Sequence, residues 1–163
     1  MTGDRRPMSL YERSLERFAR TPAGTFFVKR VAPRIDPPLL RLSGGRFSSV
    51  FPAPAMLLTT TGAKTGLRRT LPLLYATDGE SLIVIASNYG RPGHPAWYRN
   101  LVANPTVEVL AGKRSGTYTS VEITDPAERA AAWDKALDVY AGYADYEMKA
   151  SHRTIPVIRL VRA

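Results

Sequence analysis

The 163-residue chain has no cysteine, which excludes disulfides and thiolate metal sites. Its only histidines are His94 and His152, so a three-histidine metal site is excluded too. No apolar run approaches the roughly 20 residues of a membrane span. The first residues lack the apolar h-region of a signal peptide, so the cytoplasm is the expected setting. No G-x-G-x-x-G occurs, which argues against a Rossmann dinucleotide site, and no G-x-S-x-G elbow occurs. Gly62-Ala63-Lys64-Thr65 has the look of a phosphate loop but lacks the glycine directly before its lysine. Acids are fewer than bases, 14 against 23, and too dispersed to nominate a carboxylate pair. No metal is expected.

The surplus of base is uneven. The net charge is +9, and residues 1–46 hold ten bases and four acids. Such a balance favours an anionic partner: nucleic acid, an anionic membrane face or a polyanionic small molecule. Genomic enrichment in arginine explains the scattered arginines equally well. The length suits one domain with a real core.

Hydrophobic spacing divides the chain near residue 50. Ser9-Leu10-Tyr11-Glu12 reads as a capping box opening an amphipathic helix. Thr21-Pro22 opens a second helix, with proline at its first position. Asp36-Pro37 is expected to start a third piece ending at Gly44-Gly45. These helices are read as packing on the rest of the fold, with contact to an anionic membrane as the sharper alternative.

Strand patterns follow: Met56–Thr61, Arg69–Ala76, Leu82–Ala86, Thr106–Leu110, Thr117–Ile123 and Pro156–Val161. A tight turn is expected at Gly62–Gly66 and a hairpin at Asp78-Gly79. Leu82–Ala86 is nearly all apolar and is expected to be buried on both faces. Pro95–Ala103 reads as a short helix stopped by Asn104-Pro105. Asp125-Pro126-Ala127-Glu128 opens a helix through about Tyr140. Five or six short strands with few parallel crossovers predict a closed or half-closed antiparallel barrel.

Four stretches offer chemistry. Lys64, Arg68 and Arg69 flank Gly62 and Gly66, where backbone amides and bases suit phosphate; a solvated hairpin tip explains them as well. Ala86-Ser87-Asn88-Tyr89-Gly90 ends the most apolar strand, where small residues let a flat ring lie close and Ser87 offers a hydroxyl. Ala96, Trp97 and Asn100 belong to the short helix, as core, cap or ligand contacts. Tyr140, Tyr143 and Tyr146, with Tyr89, make an aromatic wall with hydroxyl tips or a packed helix face.

Together these motifs resemble the deazaflavin-dependent nitroreductase and quinone reductase family of actinobacteria. LLTTTGAKTG, the S-x-x-G turn at Ser87–Gly90, HPAWYRNLVANP, Y-x-x-Y-x-D-Y and RTIPV stand in the family's order from Leu57 to Pro156. The resemblance implies an α+β split β-barrel of the flavin-reductase and pyridoxamine-phosphate-oxidase-like kind. It would carry N-terminal helices and one long helix before the last strand. Residues 1–50 would then be a basic helical segment on the barrel or a membrane, and residues 51–163 the cofactor-binding barrel. The implied cofactor is coenzyme F(420), an 8-hydroxy-5-deazaflavin with a phosphate and a polyglutamate tail. That tail is a concrete anion for the basic chain.

By resemblance, Lys64, Thr65, Arg68 and Arg69 hold phosphate and glutamates, and Leu71 and Pro72 lie beside the deazaflavin. Ala86, Ser87, Asn88 and Gly90 border the ring, and Ala96, Trp97 and Asn100 complete that side. Ser87, Tyr140, Tyr143 and Tyr146 shape the acceptor pocket as the catalytic group, with Tyr143 preferred over Tyr146 as acid. The chain departs from the family at Ala63, Asn88, Tyr89 and Leu74; Leu74 replaces a tyrosine and implies a more apolar pocket.

The implied reaction is hydride transfer from the reduced deazaflavin to quinones, enones or related electron-poor acceptors, with nitro compounds the least safe extension. An FMN- or haem-binding barrel, a non-catalytic deazaflavin carrier and a nucleic-acid module stay open as rivals. The aromatics interleaved with base that single-strand binders use are not obvious, so no nucleic acid is expected. Monomer and homodimer are both open, as are the cytoplasm and a cytoplasmic membrane surface.

Overall fold

The computed structural model describes residues 21–50 and 52–163. The helix expected from Ser9 lies outside them. The architecture is α+β, a curled antiparallel sheet of seven strands with helices at one mouth and on its outer face. The strands are β1 (Ala55–Thr61), β2 (Arg68–Leu74), β3 (Ala76–Asp78), β4 (Ser81–Ile85), β5 (Thr106–Leu110), β6 (Gly116–Glu122) and β7 (Val157–Arg162). The helices are α1 (Pro22–Phe26), α2 (Ala32–Leu42), α3 (Ala96–Ala103), α4 (Pro126–Val139) and α5 (Gly142–Lys149).

The sheet order is β2-β1-β5-β6-β7-β4-β3. β2 and β3 are therefore the two edges of the sheet, yet Tyr75 alone separates them in the chain. The edges must meet there, so the sheet is curled into a half-barrel. What reads in the sequence as one strand, Arg69–Ala76, changes partner at Tyr75: β2 pairs with β1 and β3 pairs with β4. Hydrophobic alternation continues across that corner, so the sequence pattern does not mark it.

Alternation of side chains across each strand builds two cores. Met56, Leu58, Leu82, Val84, Val107, Val109, Tyr118, Ile158 and Leu160 fill the barrel. Ile83, Ile85 and Val157 point the other way and pack with Ala132, Trp133 and Ala136 of α4 and with Tyr143 and Tyr146 of α5. β4 is thus buried on both faces, as its unbroken apolar run requires. Asp78 on β3 fastens the outer layer, bonded to Lys135 of α4 at 2.5 Å and to Arg159 of β7 at 3.1 Å. Arg159 also meets Glu128 at 3.0 Å.

Local signals hold at most joints. Thr21 caps α1 by accepting from the Gly24 amide, and Asp125 caps α4 by accepting from the Glu128 amide. In the β3–β4 turn Gly79 has φ +60°, which its lack of a Cβ permits. Two expectations need correction. The third N-terminal piece does not start at Asp36. Helix runs from Pro22 to Leu42 through a wider π turn at Phe27–Val31, closed by the Ala32 amide donating to the Phe27 carbonyl. Asp36 sits inside α2 and is buried, its Oδ1 accepting from the Ser49 amide at 2.6 Å. The single long helix before the last strand is two helices. Tyr140, at φ −150° and ψ 100°, breaks the rod, and α5 restarts at Gly142.

Candidate active site

The β1–β2 hairpin tip is held from outside the hairpin. Asn100 of α3 accepts from the Ala63 amide through Oδ1 and donates through Nδ2 to Thr60 Oγ1, both at 3.0 Å. Both ends of the Asn100 amide are thereby used, so its side chain sets where Lys64 and Thr65 stand. Asn104 adds a bond to the Thr61 carbonyl. Lys64 and Thr65 are exposed on this tip. Trp97 and Leu101, one turn apart on α3, pack into the barrel core and anchor the helix that carries Asn100.

Strand alternation separates the expected cation cluster. Arg69 lies opposite Thr60 and shares a face with Leu71, which packs on the barrel core. Arg68 and Pro72 belong to the outer face. There Arg68 makes a two-point ion pair with Glu108 and lines a shallow groove with Thr59, Thr61 and Thr117. Bond and charge together hold the Glu108 carboxyl below its ordinary range and raise the Arg68 guanidinium. Among the described residues Lys64 and Arg69 join no ion pair, so their charge is available to a ligand.

The second side begins where β4 ends. Ala86 and Ser87 are buried, and the chain then turns through Asn88 (φ 49°), Tyr89 (φ 57°) and Gly90 (φ 73°). Two consecutive non-glycine residues in the left-handed region mark a turn held by its surroundings. The holder is Arg153, the first residue of the RTIPV stretch. Its guanidinium donates to the Ser87 carbonyl at 2.8 Å and to the Arg91 carbonyl at 3.3 Å, and it meets His94 Nδ1 at 3.3 Å. Asn88 is turned back on its own loop, donating to the Gly93 carbonyl. A Cβ at Gly90 would stand 2.6 Å from Lys149 Cβ and 2.9 Å from the Tyr146 carbonyl, so this glycine seats the turn against α5.

That contact brings the tyrosines together. Tyr89 meets Tyr146 edge to face at 5.8 Å between centroids, and Tyr140 meets Tyr143 at 5.3 Å. The hydroxyls of Tyr140 and Tyr146 are bonded at 3.2 Å. Tyr89, Tyr140, Tyr143 and Tyr146 cluster on the face that packs with Trp133 and Ala136, although Tyr140 caps α4 while Tyr143 and Tyr146 belong to α5. Burial pushes the Tyr143, Tyr146 and Tyr89 phenols up; for Tyr146 the bond to Tyr140 adds to it. These phenols therefore stay protonated at neutral pH. Tyr98 of α3, half-buried against the barrel core, is pushed up to about 12 by burial and by its bond to Glu122.

Ala86 and Trp97 share the barrel core, so the Ser87 turn and α3 are fixed to one body. Ala96, just ahead of Trp97, is exposed at the N-terminal end of α3. Among the described residues no cluster of three or more histidine or acidic side chains suits a metal.

A family model described as F(420)H(2)-dependent quinone reductase matches residues 33–161. The F(420)H(2)-dependent quinone reductase Rv1261c of Mycobacterium tuberculosis is 41% identical over 134 residues, covering 79% of this chain and 89% of that protein. A solved F(420)-H2 dependent reductase, FDR-A, is 39% identical with a TM-score of 0.58, covering 66% of this chain and 93% of that one. A second solved relative, described as a domain-swapped dimer, is 33% identical with a TM-score of 0.62, covering 83% of this chain and 98% of that one.

Proposed function

Because this chain belongs to the F(420)H(2)-dependent quinone reductase family, we propose that it is an oxidoreductase that uses coenzyme F(420) to reduce quinones. Two features support this reading, and the shared core of Ala86 and Trp97 ties the Ser87 turn to the helix that holds the hairpin tip. One is a hairpin tip with two cations that join no ion pair among the described residues; the other is a cluster of hydroxyl-bearing aromatics packed against the Ser87 turn.

The residues present suit the cofactor. Lys64 and Arg69 offer charge to its phosphate and glutamates, and the Asn100 tie holds Lys64 and Thr65 in place. Leu71 and Ala96 offer apolar surface to a planar ring, while the buried Ala86, Ser87, Gly90 and Trp97 shape and seat the turn and helix that would border it. Arg68, already engaged by Glu108, and Pro72, on the same outer face, contribute less. Asn88 contributes through the shape of its turn. When bound in its reduced form, F(420) supplies the hydride that the acceptor takes up.

The chain's own part is orientation and hydrogen bonding. Reduction leaves negative charge on the acceptor oxygen, and the hydroxyls of Ser87, Tyr140, Tyr143 and Tyr146 are the donors for it. Tyr143 is buried and that burial raises its phenol, so solvent provides the final proton. Enones and other electron-poor acceptors extend the substrate class.

We assign the protein to the cytoplasm. Exposed Leu42 and Phe47 adjoin exposed Arg41 and Arg46 in the chain, which favours a second setting of peripheral contact with anionic membrane. Co-sedimentation with anionic and neutral vesicles separates the two. Residues 1–50 are read as the basic segment and residues 51–163 as the barrel domain. Monomer and homodimer are distinguished by sedimentation of the purified protein.

The test is a titration with F(420) in both redox states beside FMN, followed by a quinone turnover assay. Deazaflavin binding with quinone turnover is the expected result. FMN binding without deazaflavin binding removes the assignment, and deazaflavin binding without turnover makes the protein a carrier.

A further inference from the structure

The junction between α4 and α5 contains an unusual contact. A Cβ placed on Gly142 would stand 2.3 Å from Tyr140 Cζ and 2.4 Å from the Tyr140 hydroxyl oxygen. No side chain tolerates such an approach. The conflict involves only the far end of the Tyr140 side chain, and no other atom is among the nearest. Gly142 is helical and its φ is not in the left-handed region, so the backbone accepts alanine, a better helix former than glycine. What alanine displaces is the Tyr140 phenol.

The position of that phenol matters. Tyr140 is half-buried, and its ring is edge to face with Tyr143. Its hydroxyl meets that of Tyr146, and Tyr146 is in turn packed against Tyr89 of the Ser87 turn. The ring therefore closes the hydroxyl wall from the side of α4, resting on a space that exists only because residue 142 has no side chain.

We propose that Gly142 is a specificity-determining residue: it seats the Tyr140 ring as the plug of the acceptor pocket, and the size of residue 142 sets the size of acceptor admitted. This rests on the reading of the tyrosine wall as the acceptor side. Gly142→Ala lifts the phenol off Tyr146 and opens the wall. A small quinone then loses contact and a bulky one gains room.

The experiment is a cycle of wild type, Gly142→Ala, Tyr140→Ala and the double variant. Each is assayed with the reduced cofactor on 1,4-benzoquinone and on 2-methyl-1,4-naphthoquinone, and each is melted without cofactor. The ratio of kcat/KM for the bulky over the small quinone is expected to rise roughly tenfold in Gly142→Ala, the scale of one methylene-sized change in a pocket. In the Tyr140→Ala background the same substitution should leave that ratio unchanged, and its effect on melting temperature should differ from its effect in wild type. A ratio that shifts equally in both backgrounds overturns the proposal, since Gly142 would then act without Tyr140. Coupling in melting with an unmoved ratio also overturns it, because the ring would be seated but would plug nothing. If the wild type turns over neither quinone, the functional reading falls and the selectivity claim falls with it. The melting cycle alone still decides whether Gly142 seats the ring.

Discussion

The two sides of the site are built by opposite means. The hairpin tip is exposed, charged and held by a few side-chain hydrogen bonds, with Asn100 tying Ala63 to Thr60. The tyrosine side is buried and held by close packing around glycines, with Gly90 against α5 and Gly142 under Tyr140. Charge at the first side acts through solvent and is screened by salt. Shape at the second is set by contacts that leave no room for an added methyl group. Substitutions on the tyrosine side should therefore cost stability. Substitutions at the tip should cost affinity and spare the fold.

The sharpest test is Gly90→Ala. It forces a Cβ into Lys149 and the Tyr146 backbone at a φ of +73°. Strain and overpacking together should destabilise the protein by about 3 kcal/mol in urea unfolding. A neutral result would break the claim that this side is close-packed.

Arg153→Ala comes next. It removes donors from the Ser87 and Arg91 carbonyls and frees a strained turn. A loss of about 2 kcal/mol is expected, since hydrogen bonds to charged groups are worth more than neutral ones. Turnover should fall with it. Lysine should restore only part, because it lacks the planar fork that reaches several acceptors at once. Full rescue by lysine would mean that charge, and not geometry, holds the turn.

At the tip, Lys64→Ala combined with Arg69→Ala should weaken deazaflavin binding roughly tenfold, equivalent to about 1.4 kcal/mol, with an unchanged melting temperature. The salt dependence of binding should flatten in the same variant. Arg68→Ala should change binding less, because Glu108 already engages that cation. Equal losses from Arg68 and Arg69 would break the division between the two faces of β2.

The smallest effect concerns alkaline pH. Tyr98 is raised from 10.0 to about 12 in the folded protein. Below pH 10 it is protonated in both folded and unfolded states, and its contribution is fully present. Between pH 10 and about 12 the unfolded phenol ionises first, so that contribution is lost as pH rises. Tyr98→Phe should flatten this part of the decline in melting temperature. The buried wall phenols, raised by the same burial, should continue to lose stability in the variant. An unaltered slope would place the Tyr98 hydroxyl away from Glu122.

Much of this was legible from residue order. Thr21 and Asp125 cap helices because a side-chain oxygen three residues ahead meets an orphan amide, which is a local event. The unbroken apolar run of β4 announced burial on both faces. Motif spacing singled out Lys64, Ser87 and the tyrosines as candidates. The opposite facing of Arg68 and Arg69 follows from strand alternation alone. Arg153 was not legible: its partner Ser87 lies 66 residues away, and no local pattern signals such a contact. The end of α4 at about Tyr140 was legible, but the helix that restarts at Gly142 escaped because no capping signal opens it.

By itself the sequence determined the strand and turn chemistry, the helix caps, the excess of base and the family to which the chain belongs. Each depends on neighbours within a few residues or on the composition of the whole. Tertiary structure alone decided that β2 and β3 lie at opposite edges that meet at Tyr75, and that Asn100 and Arg153 position loops remote from them in the chain. It also decided that Gly142 leaves room for a ring. These depend on which surfaces come together when the sheet curls, and a chain carries no local record of the space a missing Cβ will leave to a side chain from another element.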